Sequence, residues 1–420
     1  MKAVVLAAGL GTRMSAKIPK PLLKVAGREI LYRSLKILSE LGVDEFIIVV
    51  SKKRELIEEF LKRHGFKYKI VRNDHPERGN GYSFYLAKDY VDDRFVLIMG
   101  DHVYEREFIE RAIRGNGLIG DRIARFIDVD EAMKVICRNG RVDRIGKDLD
   151  KFDYVDTGFF VLTPDVFKYA EELVKSKHEV SLSEIMERAK VPVTDVSGYF
   201  WIDIDTPEEL KRANRTIVRM SVKGTGDGFV ARYLNRKISL RLSEILVNRI
   251  TPNQATLISF IIGTISALIT FLSVPLAGIV YQISSILDGI DGEIARAAMR
   301  TSRFGGWFDS VLDRYVDFLF LLCLAIVGDL SLLGWIIACL AMFGSFMVSY
   351  STERYKGAFF NDFYRDFKFK FPGKRDERIF IIMIFCLFGW IFQLFVLLAI
   401  LANLRVLATV AIVAKHKLGE

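Results

Sequence analysis

Four aspartates set in apolar sequence constrain this chain more than any other feature. Asp288, Asp291, Asp309 and Asp313 lie in SSILDGIDGEIARAAMRTSRFGGWFDSVLDRYVD, inside a C-terminal half dominated by hydrophobic runs. Carboxylates are costly in a bilayer and rare there without a function. Asp288 and Asp291 are i, i+3; Asp309 and Asp313 are i, i+4. Each pair therefore projects from one face of a helix. Two such faces brought together concentrate four negative charges, which requires cations. Hard oxygen donors of this kind suit Mg²⁺ or Mn²⁺, and also Ca²⁺.

The chain has 420 residues, enough for two or three domains. Its composition is split. Charged, amphipathic sequence runs to about residue 220, and apolar runs dominate from about 252. The net charge of +9 favours anionic lipid or anionic substrates. No basic stripe interleaved with aromatics argues for nucleic acid. Cys137, Cys323, Cys339 and Cys386 show no metal-type spacing and read as small hydrophobes. The opening MKAVVLA is too short for a signal-peptide core, so the first half is expected to stay in the cytosol.

That first half alternates strands and helices: KAVVLA, an amphipathic helix within PLLKVAGREILYRSLKILSELG, DEFIIVVS, and FVLIMGD. The alternation predicts a parallel α/β sheet with ligands beyond the carboxyl ends of its strands. A glycine-rich loop directly after the first strand offers backbone N–H groups to phosphates. The loop, L-A-A-G-x-G-T-R-M, is followed by Pro19-Lys20-Pro21. Together they resemble the signature of sugar-nucleotide and cytidylyl transferases, over roughly residues 1–215. The resemblance implies that Ala8, Gly9, Gly11 and Thr12 wrap a triphosphate, with Arg13 and Lys20 neutralising its charge. It places Asn80 and Ser83 at the base, and Asp101 and Asp203 on Mg²⁺. It puts Lys147 and Asp156 near a phosphorylated acceptor. Asp205 precedes Thr206-Pro207-Glu208-Glu209 and reads as a helix start, which favours Asp203 over it as the ligand.

The C-terminal half carries D-x-x-D-G-x-x-A-R, eight residues, then G-x-x-x-D-x-x-x-D. This resembles the signature of CDP-alcohol phosphotransferases at every position. Such enzymes join a CDP-linked group to an alcohol and release CMP. Asp288, Asp291 and Asp309 would hold divalent metal against the pyrophosphate. Asp313 is assigned first as general base, with metal contact left open. Gly292, Gly305 and Ala295 leave room for a nucleotide, and Arg296 is a phosphate partner. Thr251-Pro252-Asn253 and Thr256 resemble the family's T-P-N-x-x-T entry. Arg354 and Arg378 are candidates for a phosphorylated acceptor, although positive-inside topology explains them equally well.

The expected architecture is a Rossmann-like α/β nucleotidyltransferase with a mostly parallel sheet, followed by an all-α domain of six transmembrane helices. The expected boundaries are 1–221 for the soluble domain and 222–250 for a hinge and interfacial amphipathic helix. Residues 251–420 form the membrane domain. The spans are placed near 252–273, 275–298, 303–327, 329–352, 377–390 and 392–414. Alternate loops are basic, which puts both termini and the four aspartates on the cytosolic side.

The fusion closely resembles the bifunctional family that combines inositol-1-phosphate cytidylyltransferase with di-myo-inositol phosphate phosphate synthase. That resemblance implies CTP, a CDP-alcohol intermediate, inositol phosphate, Mg²⁺ at both sites and a product that serves heat-loving prokaryotes as a compatible solute. A homodimer through the membrane domain is carried over with it. Inositol itself rests on the resemblance alone. The alternatives are a phospholipid synthase using CDP-diacylglycerol, a soluble half that activates another headgroup or only regulates, and a transporter with a nucleotide sensor.

Overall fold

A computed structural model of the chain describes residues 1–9, 18–51, 54–222, 227–367, 369 and 371–417. It divides into two compact units, Met1–Asn214 and Arg215–Glu420.

The first unit is built on a nine-stranded sheet. Its central strands are β1 (Lys2–Ala7), β2 (Glu45–Val50), β3 (Tyr68–Arg72) and β4 (Phe95–Met99), in the order β3-β2-β1-β4 and all parallel. Val4, Val5, Ile47, Ile48, Val96 and Leu97 are fully buried. Near-continuous apolar runs are what a sheet covered on both faces demands. Helix α1 (Ile30–Glu40) packs through Leu31, Leu35 and Leu38.

Short β5 (His102–Tyr104) follows β4 at once. The sheet then turns antiparallel. β6 (Gly117–Asp121), β7 (Lys134–Arg138) and β8 (Arg141–Gly146) lead to the long β9 (Tyr154–Leu162). β9 pairs antiparallel with β4, β6 and β7. β10 (Val193–Asp195) runs parallel to β6, and β11 (Trp201–Asp203) pairs with β5. Strand order reverses direction at β1/β4, so the carboxyl ends of these two strands form the crevice where such sheets bind ligands. Two further helices matter to the site: α2 (Asn80–Tyr85) and α3 (Pro207–Met220).

The second unit is helical. Ala231–Asn235 is a π-helical turn that leads into α4 (Arg236–Leu246), in the stretch expected to hold an amphipathic helix. Six long helices follow: α5 (Pro252–Ile269), α6 (Val274–Ala297), α7 (Arg303–Val327), α8 (Leu332–Phe359), α9 (Arg375–Phe388) and α10 (Ile391–Lys417). They fall where the hydrophobic runs placed them. Among the described residues, however, only α5, α8 and α10 are both long and apolar enough to cross a membrane on composition alone. The acids and arginines of α6 and α7 and the brevity of α9 keep the other three below that mark, so six spans are not established by hydropathy.

Local sequence explains the helix starts. Thr251 and Gln254 form a reciprocal capping box before Pro252, and Ser273, Ser302 and Ser331 cap α6, α7 and α8. The helices close around Tyr281, Phe320, Leu324, Phe395 and Leu398. Tyr281 stacks on Phe320 at 4.1 Å between centroids. Outward-facing Leu272, Leu332 and Leu407 are strongly exposed, as a lipid-facing surface requires.

One polar tie fixes α4 against α6. Glu293 is fully buried and accepts hydrogen bonds from Arg236 Nη1 (2.6 Å), Ser239 Oγ (2.7 Å) and Ser243 Oγ (2.6 Å). Arg236 also pairs with Asp227. Removing one member of a buried, hydrogen-bonded ion pair strands the other, at about 3–5 kcal/mol. Arg236→Ala, which strands the fully buried Glu293, is therefore expected to lower the thermal midpoint of the detergent-solubilised chain sharply. Ser239→Ala, which removes one of three donors, should cost about 1 kcal/mol.

Candidate active sites

In the first unit, the crevice beyond β1 and β4 opens into a cavity of about 170 Å³. Asn80, His102, Lys147, Asp156, Asp203 and Asp205 are among its lining residues. Asp101 lies between β4 and β5, and β5 begins at His102. β11 delivers Asp203, whose pairing register sets it opposite His102. Asp101 is not a helix cap, because β5 intervenes before the helix that starts at Arg106.

Lys20 reaches this crevice. Its Nζ lies 3.8 Å from Asp101 Oδ2 and pairs closely with Asp205 Oδ1. Sequence reasoning had set Asp205 aside as a helix start. The cap of α3 is in fact made by Thr206 and Glu209: Thr206 Oγ1 accepts from the Glu209 N–H, and the Glu209 carboxylate accepts from the N–H groups of Asp205 and Thr206. The Asp205 side chain holds Lys20. The D-x-D spacing of WIDID was the available signal.

His102 Nδ1 lies 2.9 Å from Asp101 Oδ1, and its ring stacks parallel to Trp201 at 6.3 Å. Burial opposes charge on both Asp101 and His102. Their mutual hydrogen bond and attraction outweigh it, holding the acid below and the imidazole above their ordinary pKa values. Gly158 makes room for the ring: with φ at +68°, a Cβ there would lie 2.7 Å from His102 Nε2. Asp156 Oδ1 accepts from the Gly158 N–H at 2.9 Å.

The remaining sequence candidates are distributed as follows. Ala8 is buried, and its carbonyl accepts from Ser51 Oγ at 2.8 Å. Gly9 is exposed just beyond β1. Gly11, Thr12 and Arg13 lie outside the described residues. Asn80 lines the cavity while its Oδ1 accepts from the Leu182 N–H at 2.7 Å. Ser83 is buried behind it, 2.9 Å from Asn73 Nδ2. Gly79 must be small, because a Cβ would approach the Val180 carbonyl oxygen to 2.4 Å.

In the second unit, α6 and α7 bring the acids together. Carboxylate oxygens of Asp288, Asp309 and Asp313 lie within 4.8 Å of one another. Asp291 adjoins them, with Oδ2 accepting from Thr256 Oγ1 at 2.6 Å. That contact gives the threonine of T-P-N-x-x-T a place: it orients an acid from α5. Asp309 Oδ1 is buried without a hydrogen-bond partner. Converging carboxylates with an orphaned buried oxygen fit a divalent cation.

An arginine that sequence reasoning passed over dominates the cluster electrostatically. Arg375 Nη1 lies 2.9 Å from Asp288 Oδ2 and 3.0 Å from Asp313 Oδ2, and its Nε is 3.1 Å from each oxygen of Asp317. Arg378, the residue singled out, is buried and donates to the carbonyls of Gly373 (2.7 Å) and Ser345 (3.3 Å). Arg354 is exposed on α8. Arg296 Nε donates to the Ser221 carbonyl at 2.6 Å and the guanidinium lies over Gly292. Gly305 is in the capped first turn of α7, and Ala295 is half-buried on α6.

The chain matches two families in succession: MobA-like NTP transferase domain over residues 3–145 and CDP-alcohol phosphatidyltransferase over residues 249–413. It is thus an enzyme that joins a nucleotidyltransferase to a CDP-alcohol phosphotransferase. It is 52% identical to the "Bifunctional IPC transferase and DIPP synthase" of Aquifex aeolicus, covering 99% of this chain and 98% of that one. The protein of the same name from Thermococcus kodakarensis is 55% identical, covering 99% and 97%. The chain belongs to this family of bifunctional IPC transferases and DIPP synthases. A solved structure described as the inositol-1-phosphate CTP transferase from T. maritima is 29% identical, covering 50% of this chain and 94% of that chain, with a TM-score of 0.47. The apolar helices and the phosphotransferase domain mark the chain as a membrane protein.

Asp156 provides a test of the cavity's electrostatics. Burial pushes its carboxyl up to about 6, and the Gly158 N–H and His102 only partly offset this. A raised acid pKa means the folded state prefers the proton, so Asp156 costs stability as pH rises from about 4 to about 6. Asp156→Asn keeps an oxygen for Gly158 and removes the charge. Its thermal midpoint should exceed the parent's above pH 6 and match it near pH 4.

Proposed function

We propose that the first unit converts CTP and inositol-1-phosphate to CDP-inositol and pyrophosphate. The second then joins CDP-inositol to another inositol-1-phosphate, giving di-myo-inositol phosphate phosphate and CMP. The observation that carries this reading is similarity at more than half identity, over 99% of the chain, to relatives whose names state both activities. The site geometry agrees with it chemically.

At the first site a phosphate oxygen of the acceptor attacks the α-phosphorus of CTP, and the bond to the β-phosphate oxygen breaks. Lys20, poised between Asp101 and Asp205, is placed to shift onto phosphate oxygens as negative charge develops. Gly9, Gly11, Thr12 and Arg13 cradle the triphosphate, and Asn80 is placed to read the base. Lys147 takes the acceptor phosphate. Asp156 accepts hydrogen bonds from acceptor hydroxyls, a role suited to a carboxylate. Asp101 and Asp203, with Asp205 beside them, would hold Mg²⁺, which when bound neutralises the pyrophosphate leaving group.

At the second site a hydroxyl of the acceptor attacks the phosphorus bonded to inositol, and CMP departs. Asp313 takes the hydroxyl proton. Asp288, Asp291 and Asp309, joined by Asp313, would hold Mg²⁺ or Mn²⁺ beside the CDP group. Thr256 keeps Asp291 oriented. Arg296 and the small Gly292, Ala295 and Gly305 serve the nucleotide, and Arg354 and Arg378 serve the acceptor phosphate. In a cell, the reading places both termini and both sites on the cytosolic side, with a homodimer formed through the second unit.

Purified full-length chain in detergent, given CTP, Mg²⁺ and inositol-1-phosphate without lipid, should show CDP-inositol in phosphorus NMR. A phosphodiester that retains a phosphomonoester should follow. CDP-inositol without the diester would refute the second step, and neither product would refute both. Asp101→Ala should lower pyrophosphate release about 10²-fold or more and spare CMP release from supplied CDP-inositol. Asp313→Ala should do the reverse.

A further inference from the structure

We propose that Arg375 is a built-in, exchangeable counter-cation of the α6–α7 acid cluster. In this role it competes with the divalent metal for Asp288 and Asp313, while Asp317 retains it when it withdraws. The inference deepens the reading that these acids hold a metal, and it depends on that reading.

The guanidinium has two working ends. Nη1 takes Asp288 Oδ2 and Asp313 Oδ2, both on acids of the signature. Nε takes Asp317, which lies outside the signature, one turn beyond Asp313 on the same face of α7. Asp317 is itself held in place: Tyr281 OH donates to its Oδ1 at 2.7 Å, and Tyr281 is fixed by its stack on Phe320. One end of the fork is thus anchored to a rigid acceptor while the other rests on oxygens that a metal would also need.

Shared carboxylates set the two arrangements in competition. The gap enclosed by Thr256, Ser284, Asp288, Asp313 and Arg375 is about 10 Å³, no more than a single water needs. A hydrated cation drawing on both carboxylates displaces Nη1. A metal bound nearby on Asp309 is repelled by the guanidinium across a few ångströms of low dielectric. Swinging about the Asp317 anchor, Nη1 turns from carboxylate oxygens to the phosphate oxygens that arrive with metal-bound nucleotide, which it matches equally well. Before that moment the arginine offsets the repulsion between Asp288 and Asp313.

The test measures metal binding rather than turnover. Full-length chain in detergent, without nucleotide, would carry Asp101→Asn, Asp203→Asn and Asp205→Asn to silence the first site. Free Mn²⁺ would be followed by electron paramagnetic resonance. Adding Arg375→Gln should tighten Mn²⁺ binding at least tenfold, as expected for removing a like charge at this range. The rise in thermal midpoint on adding Mn²⁺ should grow with it. Adding Asp317→Asn instead frees the guanidinium to sit fully on the metal acids, and should weaken binding several-fold. Unchanged or weaker binding in Arg375→Gln overturns the proposal and leaves the metal site standing. If Arg375→Gln cannot be isolated folded, Asp317→Asn decides alone, and unchanged or tighter binding there overturns it. Absence of Mn²⁺ binding in parent and variants overturns both the metal reading and this one.

Discussion

The mutual repulsion of carboxylates on α6 and α7 is the constraint on which the second unit depends. Four acids of the signature and Asp317 converge inside a helical bundle whose outer surface is hydrocarbon-like. Such a group exists only if cations, hydroxyls and backbone donors meet it from several sides. The structure supplies Arg375 from α9 and Thr256 from α5. From the opposite face of α6, Glu293 is tied to α4. Helix packing here is therefore subordinate to charge balance. The close fit of Tyr281 on Phe320 serves the same end, because it steadies the hydroxyl that holds Asp317.

The first unit meets a related problem with different means. Lys20, Asp101, His102, Asp203 and Asp205 stand at the mouth of a sheet whose interior is almost wholly apolar. Their charges are paired locally rather than across a bundle, and the crevice at the β1/β4 reversal leaves them partly solvated. A lysine already held by two acids loses little by moving to phosphate, since one set of ionic hydrogen bonds replaces another.

Much of this was legible in the amino-acid order. Strand runs such as FIIVV and FVLIM, the T-P-N-Q capping box and the two signatures placed the elements and the acids, because each rests on local chemistry or fixed helical spacing. What sequence did not reveal was rotation. Arg375 and Arg378 are three residues apart at the start of one helix, and which one faces the acids depends on how α9 packs. Asp317 continues the i, i+4 ladder of Asp309 and Asp313 and was open to detection, but it lies beyond the signature. Asp205 was hidden for another reason: a plausible capping role drew attention from its side chain, and Thr206 with Glu209 took that role instead. Counting spans by hydropathy faltered where charged residues lower it, in α6 and α7.

The anchoring of Glu293 has a consequence for biogenesis. α6 carries Asp288 and Asp291 on one side and Glu293 on another, so no rotation about its axis hides its charges from lipid. A helix of that kind gains little by partitioning into the bilayer alone. Its stable insertion requires α4, α5 and α9, each contributing a partner to its acids. The ribosome delivers α4 and α5 first, so the serine and arginine donors of α4 and the Thr256 hydroxyl of α5 are waiting when α6 emerges. Chain order thus settles Glu293 and Asp291 early in assembly and leaves Asp288 until α9 brings Arg375.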